Sequence, residues 1–475
     1  MNSSVRIKSL LLFLAGVVLL FPGVSWGIIH LINNCFNTEL DFPFRQTGIL
    51  FLGYCCCLVA VYFYFEEIKQ RNPFFIAIIP IVAFYSLLFL NAVNIPINDD
   101  YETILGFSCK YADANSWSEK SSLLTGFYWE SRLITTRLLA LLEKFLLGHV
   151  DIKWLILSTN LSLLITAKYL IGAVKNKSGR EYIILCIVLL LFNLGYYDAV
   201  FWANDAIHYQ FTVLFLSICF YWLMDMGIRA QIISSVSALM AGISFGNGLL
   251  VFPIAIVLLV LNGKKFLAGI WLVPATCFYL WYFNDSPHSG LIHIHHLRDY
   301  FEYSCLFLGN LFQFQYQSVL PFIAGVSIWI LFIWLMFKKI HIDQPLITGM
   351  LLFCLASSLV AAQFRLNLGI EEALSNRYGI FSVLALVAVV IGCYNMTPAQ
   401  MIIFSPKRMV FAAFVLYCTA GFFYFPEVPV RKVKLQRILS EHVSGHNFHP
   451  IAPILPVNAD SILCAAEKRG IFKAY

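Results

Sequence analysis

PFFIAIIPIVAFYSLLFLNAVNIPINDDYE, residues 73–102, sets the frame for the whole chain. From 73 to 93 there is no charged residue, and a helix of that length crosses about 30 Å of hydrocarbon. Asn98, Asp99, Asp100, Tyr101 and Glu102 follow directly, so three carboxylates stand where the run leaves the membrane. Working outward, the same kind of run recurs near 9–32, 48–65, 154–173, 182–202, 209–227, 231–246, 248–262, 266–284, 318–337, 345–363, 378–395 and 409–425. The runs 231–246 and 248–262 are short and separated by Gly246, Asn247 and Gly248, which reads either as two thin spans or as one re-entrant hairpin.

Composition agrees with this pattern. The 475 residues are 60% hydrophobic, 16% aromatic and 12% charged, with a mean hydropathy of +0.77. A soluble domain carries about 25% charged residues, so too few polar side chains remain to cover a water-facing surface. A soluble enzyme, a disordered chain and a secreted disulfide scaffold are excluded. The expected fold is all-α: a polytopic integral membrane protein of about 11–13 transmembrane helices. It divides into an N-terminal hairpin over 1–72, a multi-span domain over 73–425 with a large outer loop at 94–153, and a short extracytoplasmic tail over 426–475.

Basic residues fix the direction. Arg6/Lys8, Lys69/Arg71, Lys175/Lys177/Arg180, Arg229, Lys264/Lys265, Lys338/Lys339 and Lys407/Arg408 fall at alternate ends of successive runs. All lie on one side if the N-terminus is cytoplasmic and the C-terminus is outside. Arg6 and Lys8 before an apolar run resemble a signal peptide, but no small-residue cleavage site interrupts it, so an uncleaved first span is expected. The net charge of +6 therefore reflects orientation rather than nucleic-acid binding. Most of the thirteen cysteines sit inside apolar runs, with no zinc spacing, and read as small core hydrophobes. No Walker or dinucleotide motif is present. Arg431, Lys432, Lys434 and Arg437 run against the trend, on the outer side.

The polar segments that can carry chemistry all face outward. Asp99, Asp100 and Glu102 are candidates for a general base, since neighbouring acids raise one another's pKa. They could equally form a solvated loop start or hold a divalent cation. Downstream, Leu138, Leu141, Leu142 and Phe145 repeat at helical spacing while Arg137 and Lys144 remain polar, which predicts a helix lying in the membrane interface. Asp198, Trp202, Asn204, Asp205, His208 and Tyr209 form a second group close to hydrocarbon, where acids are costly. His288, His293, His295 and His296 leave a metal site as the minority reading. Arg365, Glu371, Glu372 and Arg377 lie in a short outer loop, and arginine suits phosphate; snorkelling to the headgroups is the ordinary alternative.

The order of these pieces resembles the GT-C superfamily of membrane glycosyltransferases, which use polyprenyl-phosphate-linked sugars. A span is followed by an outer loop opening on an Asp-Asp-Tyr acid pair, then by an interfacial helix with an aromatic-Glu-Ser-Arg start at Trp129-Glu130-Ser131-Arg132, then by many more spans. The stretch from Ala362 through Arg365 to Arg377-Tyr378 looks like a segment of bacterial members of that type, such as serotype-converting glucosyltransferases. The resemblance implies an inverting enzyme with its site on the outer face of a bacterial inner membrane. It implies Asp99 or Asp100 as base with Glu102 beside them, and Arg365, Arg377 and Arg132 on the donor phosphate. Asp205, His208, Glu371 and Glu372 are then expected around the acceptor, a cell-envelope glycan or lipid. No cofactor is expected beyond an optional divalent cation. A lipid-linked sugar flippase and an O-antigen-type polysaccharide polymerase remain the alternatives. The family usually places the acidic loop after the first span, whereas here it follows the third.

Overall fold

The computed structural model describes residues 74–175, 178–286, 295–314, 317–395, 405–443 and 458–473. The expected hairpin 1–72, with two of the runs, and His288 and His293 lie outside the described residues. Among the described residues the chain is all-helical, without a β-strand. Two isolated bridges, Tyr128 with Ser131 and Val150 with Phe472, are the extended pairings there.

Among the described residues six helices are long and apolar enough to cross a membrane: Ile152–Gly172, Lys265–Phe283, Val319–Phe337, Pro345–Leu368, Asn376–Tyr394 and Pro406–Ile438. Ala77–Asn91, Ile228–Ser244 and Gly246–Leu261 are shorter apolar helices. Their surfaces identify the solvent they are built for. Val319–Phe337 is only 22% buried and exposes Leu320, Ile323, Ile330 and Ile333. Lys265–Phe283 likewise exposes Phe266, Ile270, Leu272, Val273 and Leu280. A soluble protein does not leave apolar patches of this extent in water. The architecture is that of an all-α polytopic membrane protein. Asn376–Tyr394, by contrast, is 89% buried and packs against Arg180–Leu191 and Pro345–Arg365, which places it in the middle of the bundle.

The run 182–202 departs from expectation in detail, and the pair 231–246 and 248–262 is decided between its alternatives. The run 182–202 ends as a helix at Leu191. Asn193 Oδ1 accepts the Gly195 N–H at 2.7 Å, and the Tyr196 hydroxyl donates to the Leu191 carbonyl. A side chain competing for the backbone in this way starts a turn, and a short helix, Tyr197–Phe201, follows. The pair 231–246 and 248–262 forms two helices, Ile228–Ser244 and Val251–Leu261, joined by the one-turn segment Gly246–Leu250. That turn folds onto the preceding helix so closely that a Cβ on Gly248 would stand 1.9 Å from the Ala241 carbonyl oxygen. Only glycine permits this approach.

Loop-to-loop contacts sort into two sets. Lys175 N–H donates to Asn395 Oδ1 at 2.9 Å, Asn395 Nδ2 to Gln344 Oε1 at 2.7 Å, Tyr394 Oη to the Ser178 carbonyl at 2.7 Å and Asn262 Nδ2 to the His341 carbonyl at 3.1 Å. These are the basic connections. The acidic and aromatic connections meet separately: Thr135 with Ser244 at 2.9 Å, Arg132 Nε with the Tyr282 carbonyl at 2.8 Å, and the Asp198 N–H with Asn376 Oδ1 at 2.9 Å. The Gly246 turn belongs to this second end, against Ser131. The Ile228–Ser244 and Val251–Leu261 helices therefore run from one end to the other and back.

Candidate functional site

The acidic loop opens with Asn98 in the left-handed region, at φ 45°, which turns the chain so that Asp99 and Asp100 face opposite surroundings. Asp100 is fully buried. Its carboxylate accepts the Ile97 N–H at 3.1 Å and the Asn204 N–H at 2.9 Å. The second bond has a clear purpose. The helix Ala203–Trp222 starts from Trp202, which has no side-chain group to cap it. Asp100 supplies the missing acceptor from across the fold, satisfying one of the orphan N–H groups at a helix start. Burial pushes Asp100 up to about 8 against the pull of these two hydrogen bonds, and the charges of Asp205 and Asp99 add to the rise.

Asp99 is half-buried and accepts the Tyr128 hydroxyl at 3.0 Å. Burial, and the Asp99 charge after it, raise the Tyr128 phenol well above its ordinary value, so it stays protonated and donates. A single π-helical turn, Tyr101–Gly106, follows the two acids, a widened turn often found at functional sites. Glu102 is exposed on it and accepts Asn458 Nδ2 of the C-terminal segment at 3.2 Å. The three acids therefore do not converge. Among the described residues no group of three His, Cys, Asp or Glu side chains is arranged to hold a metal ion.

Asp205 and His208 lie in the first turns of the Ala203–Trp222 helix and are both about 5% exposed. Asp205 Oδ2 and His208 Nε2 have no hydrogen-bond partner among the described residues. The His208 ring stacks on Phe245 at 5.2 Å, so the Gly246 turn closes over it. Asp205 feels the fields of Arg377, Asp99, Asp198 and Arg431, which draws four separate segments around one buried carboxylate. Arg377 donates to Glu372 Oε1 at 2.6 Å and lies over the Tyr378 ring at 5.2 Å, while its Nε has no partner. Arg365 reaches Glu130 at 3.4 Å, tying this loop to the Tyr128–Ser131 turn. Glu371 is exposed.

The interfacial helix is Ile134–Leu147. Leu138, Leu142, Phe145, Leu146 and Leu147 are exposed, Phe145 to 84%. Thr135, Thr136, Arg137 and Glu143 are buried. The helix turns its leucines outward and buries Arg137 with the other polar groups, as a helix beside lipid should. Arg137 Nη1 donates to the Leu124 and Gly126 carbonyls at 2.9 and 2.6 Å. Arg132 is spent in the same way. It donates to the carbonyls of Tyr282, Thr125 and Asn284, and its guanidinium lies over Phe127 at 4.3 Å and Trp281 at 5.1 Å. Its part is to lock the 125–132 turn onto the end of the Lys265–Phe283 helix. Arg132 is thus engaged on three backbone carbonyls, whereas Arg377 Nε has no partner.

Two contributors carry little local signal in the sequence. Tyr128 stands among other aromatics, and nothing near it names Asp99 as its partner. Arg431, on the helix Glu427–Val443, pairs with Asp198. Its sign, opposite to the orientation trend, was the one available clue. No protein-family profile, no curated protein and no solved structure matches the chain.

Proposed function

We propose that the chain is an inverting membrane glycosyltransferase of GT-C type. It moves a sugar from a polyprenyl-phosphate donor to a cell-envelope glycan or lipid acceptor on the extracytoplasmic face of a bacterial inner membrane. One observation carries the proposal. A half-buried carboxylate held by a protonated phenol, Asp99 with Tyr128, and an incompletely satisfied guanidinium, Arg377, both act on the buried Asp205. They do so at the end of the bundle flanked by a lipid-facing helix.

The chemistry follows from those groups. Asp99 takes the proton of an acceptor hydroxyl as that oxygen attacks the anomeric carbon from the face opposite the phosphate. The carbon–oxygen bond to phosphate breaks, configuration inverts and polyprenyl phosphate leaves as an anion. Arg377, steered by Glu372, and Arg365 hold that anion through charge-assisted hydrogen bonds. Asp100 sets the backbone on which Asp99 stands, and Arg132 holds the turn that carries Tyr128. Asp205 and His208 form the buried floor, with Glu371 at the exposed rim. The donor reaches the site sideways from the bilayer, past the leucine face of Ile134–Leu147, so no nucleotide is needed.

The test is to delete the gene in its host and compare surface glycans by mass spectrometry after complementation with wild type or Asp99→Asn. Loss of one sugar unit, restored by wild type alone, is the expected result. Shortened chains of intact repeat units would favour the polymerase, and an unchanged glycan would remove glycosyl transfer.

A further inference from the structure

Next to the Asp99 loop the same end of the bundle holds a cavity of about 300 Å³, a size within the small-molecule range. One wall is the helix Glu427–Val443, which presents Glu427, Val430, Arg431 and Lys434 at three- and four-residue spacing, hence on one face. Its neighbouring Leu435 and Ile438 pack against Ile95, Ile97 and Trp202, fixing the helix in place. The opposite wall is Asn98, Tyr197, Asp198 and Trp202. Asn98 is the residue before Asp99, so the two sites share a backbone.

The lining balances two acids, Asp198 and Glu427, against two bases, Arg431 and Lys434, and so selects no ion by net charge. Arg431 is paired with Asp198, whereas Glu427 and Lys434 are in no ion pair among the described residues. Carboxylate oxygens accept hydrogen bonds, and the guanidinium and ammonium nitrogens donate them. Tyr197 and Trp202 add flat apolar faces beside them. A neutral ring bearing hydroxyls, each both donor and acceptor, with apolar C–H faces, answers all three features. An anionic or purely apolar ligand answers only one.

We propose that this cavity binds a neutral saccharide, the terminal unit of the acceptor glycan. The word acceptor rests on the proposed glycosyl transfer; saccharide binding itself does not. The tail helix then has a function, and its Arg431 and Lys434 serve as hydrogen-bond donors.

Saturation-transfer NMR on the full-length protein in nanodiscs tests it. The probes are oligosaccharides released by mild acid from the host's own envelope glycan, alongside methyl hexosides. Saturable saccharide signals are expected, weakened at least tenfold in the Glu427→Ala/Lys434→Ala double variant at an unchanged unfolding temperature. Should that variant unfold, Lys434→Ala alone, at an exposed side chain, is expected to weaken binding several-fold. No saccharide signal, wild-type affinity in the folded variants, or displacement of saccharide by glycerophosphoethanolamine would overturn the proposal. Saccharide binding without transfer by the wild type would retire the transferase and leave the cavity standing. Transfer without binding here would retire the cavity alone.

Discussion

The turn at 125–137 and the loop at 365–378 both bring arginines to the same end of the bundle, and they use them in opposite ways. Arg132 and Arg137 are buried, with their guanidiniums on backbone carbonyls and aromatic rings. Arg377 and Arg365 are partly exposed and paired with carboxylates, Glu372 and Glu130. A carbonyl bond to a buried arginine is structural, because breaking it strands both partners away from water. An ion pair at a partly exposed site contributes little stability and can be exchanged for a ligand's phosphate. Asp99 and Asp100 repeat the contrast in adjacent positions: one is half-exposed on a phenol, the other buried on two backbone N–H groups.

The sharpest way to break this comparison is Asp99→Asn in reconstituted protein. Transfer is expected to fall on the order of a hundred- to ten-thousand-fold, the usual contribution of a general base, with no change in unfolding temperature. Retained transfer would sink Asp99 as the base. Next in size, Arg132→Ala leaves the carbonyls of Thr125, Tyr282 and Asn284 without their donor. It should destabilise the protein by roughly 3 kcal/mol, seen by denaturant unfolding in detergent, and a neutral result would dissolve the distinction between the two regions. Arg377→Ala should do the reverse, raising the KM for the lipid-linked donor about tenfold, or ~1.4 kcal/mol, while stability hardly moves. An equal rise in the acceptor KM would remove its phosphate role.

The last effect is a slope. Asp100 is raised in the folded protein to about 8 from 3.8, so between those values the folded state holds a proton that the unfolded state has lost. Stability should therefore fall as pH rises through that window. Unfolding temperatures recorded from about pH 5 to 8 check it, with Asp100→Asn expected to flatten the slope. A wild-type curve rising with pH would reverse the assignment.

Much of the site was legible because chemistry at a membrane boundary is expensive. Charged residues next to long apolar runs stand out, and this drew attention to Asp99, Asp205, Arg365 and Arg377. Which charge is free and which is consumed was not legible. The signals of Arg132 and Arg377 are equivalent in one dimension, each an arginine of an outer loop shortly before a stretch of apolar residues. Their partners lie far away in the chain, the Tyr282 and Asn284 carbonyls for Arg132 and the field of Asp205 for Arg377.

By itself the sequence determined the all-helical membrane architecture, because the hydrocarbon thickness fixes how long an apolar run must be and its backbone must bond to itself. It also determined that basic and acidic connections separate, since each alternates with the runs. Only the tertiary structure decided that the run at 182–202 stops at Leu191, that Asp100 caps a helix a hundred residues away, and that the tail helix walls a cavity. Those outcomes depend on long-range hydrogen bonds and close packing, and neither leaves a periodic trace in the local sequence.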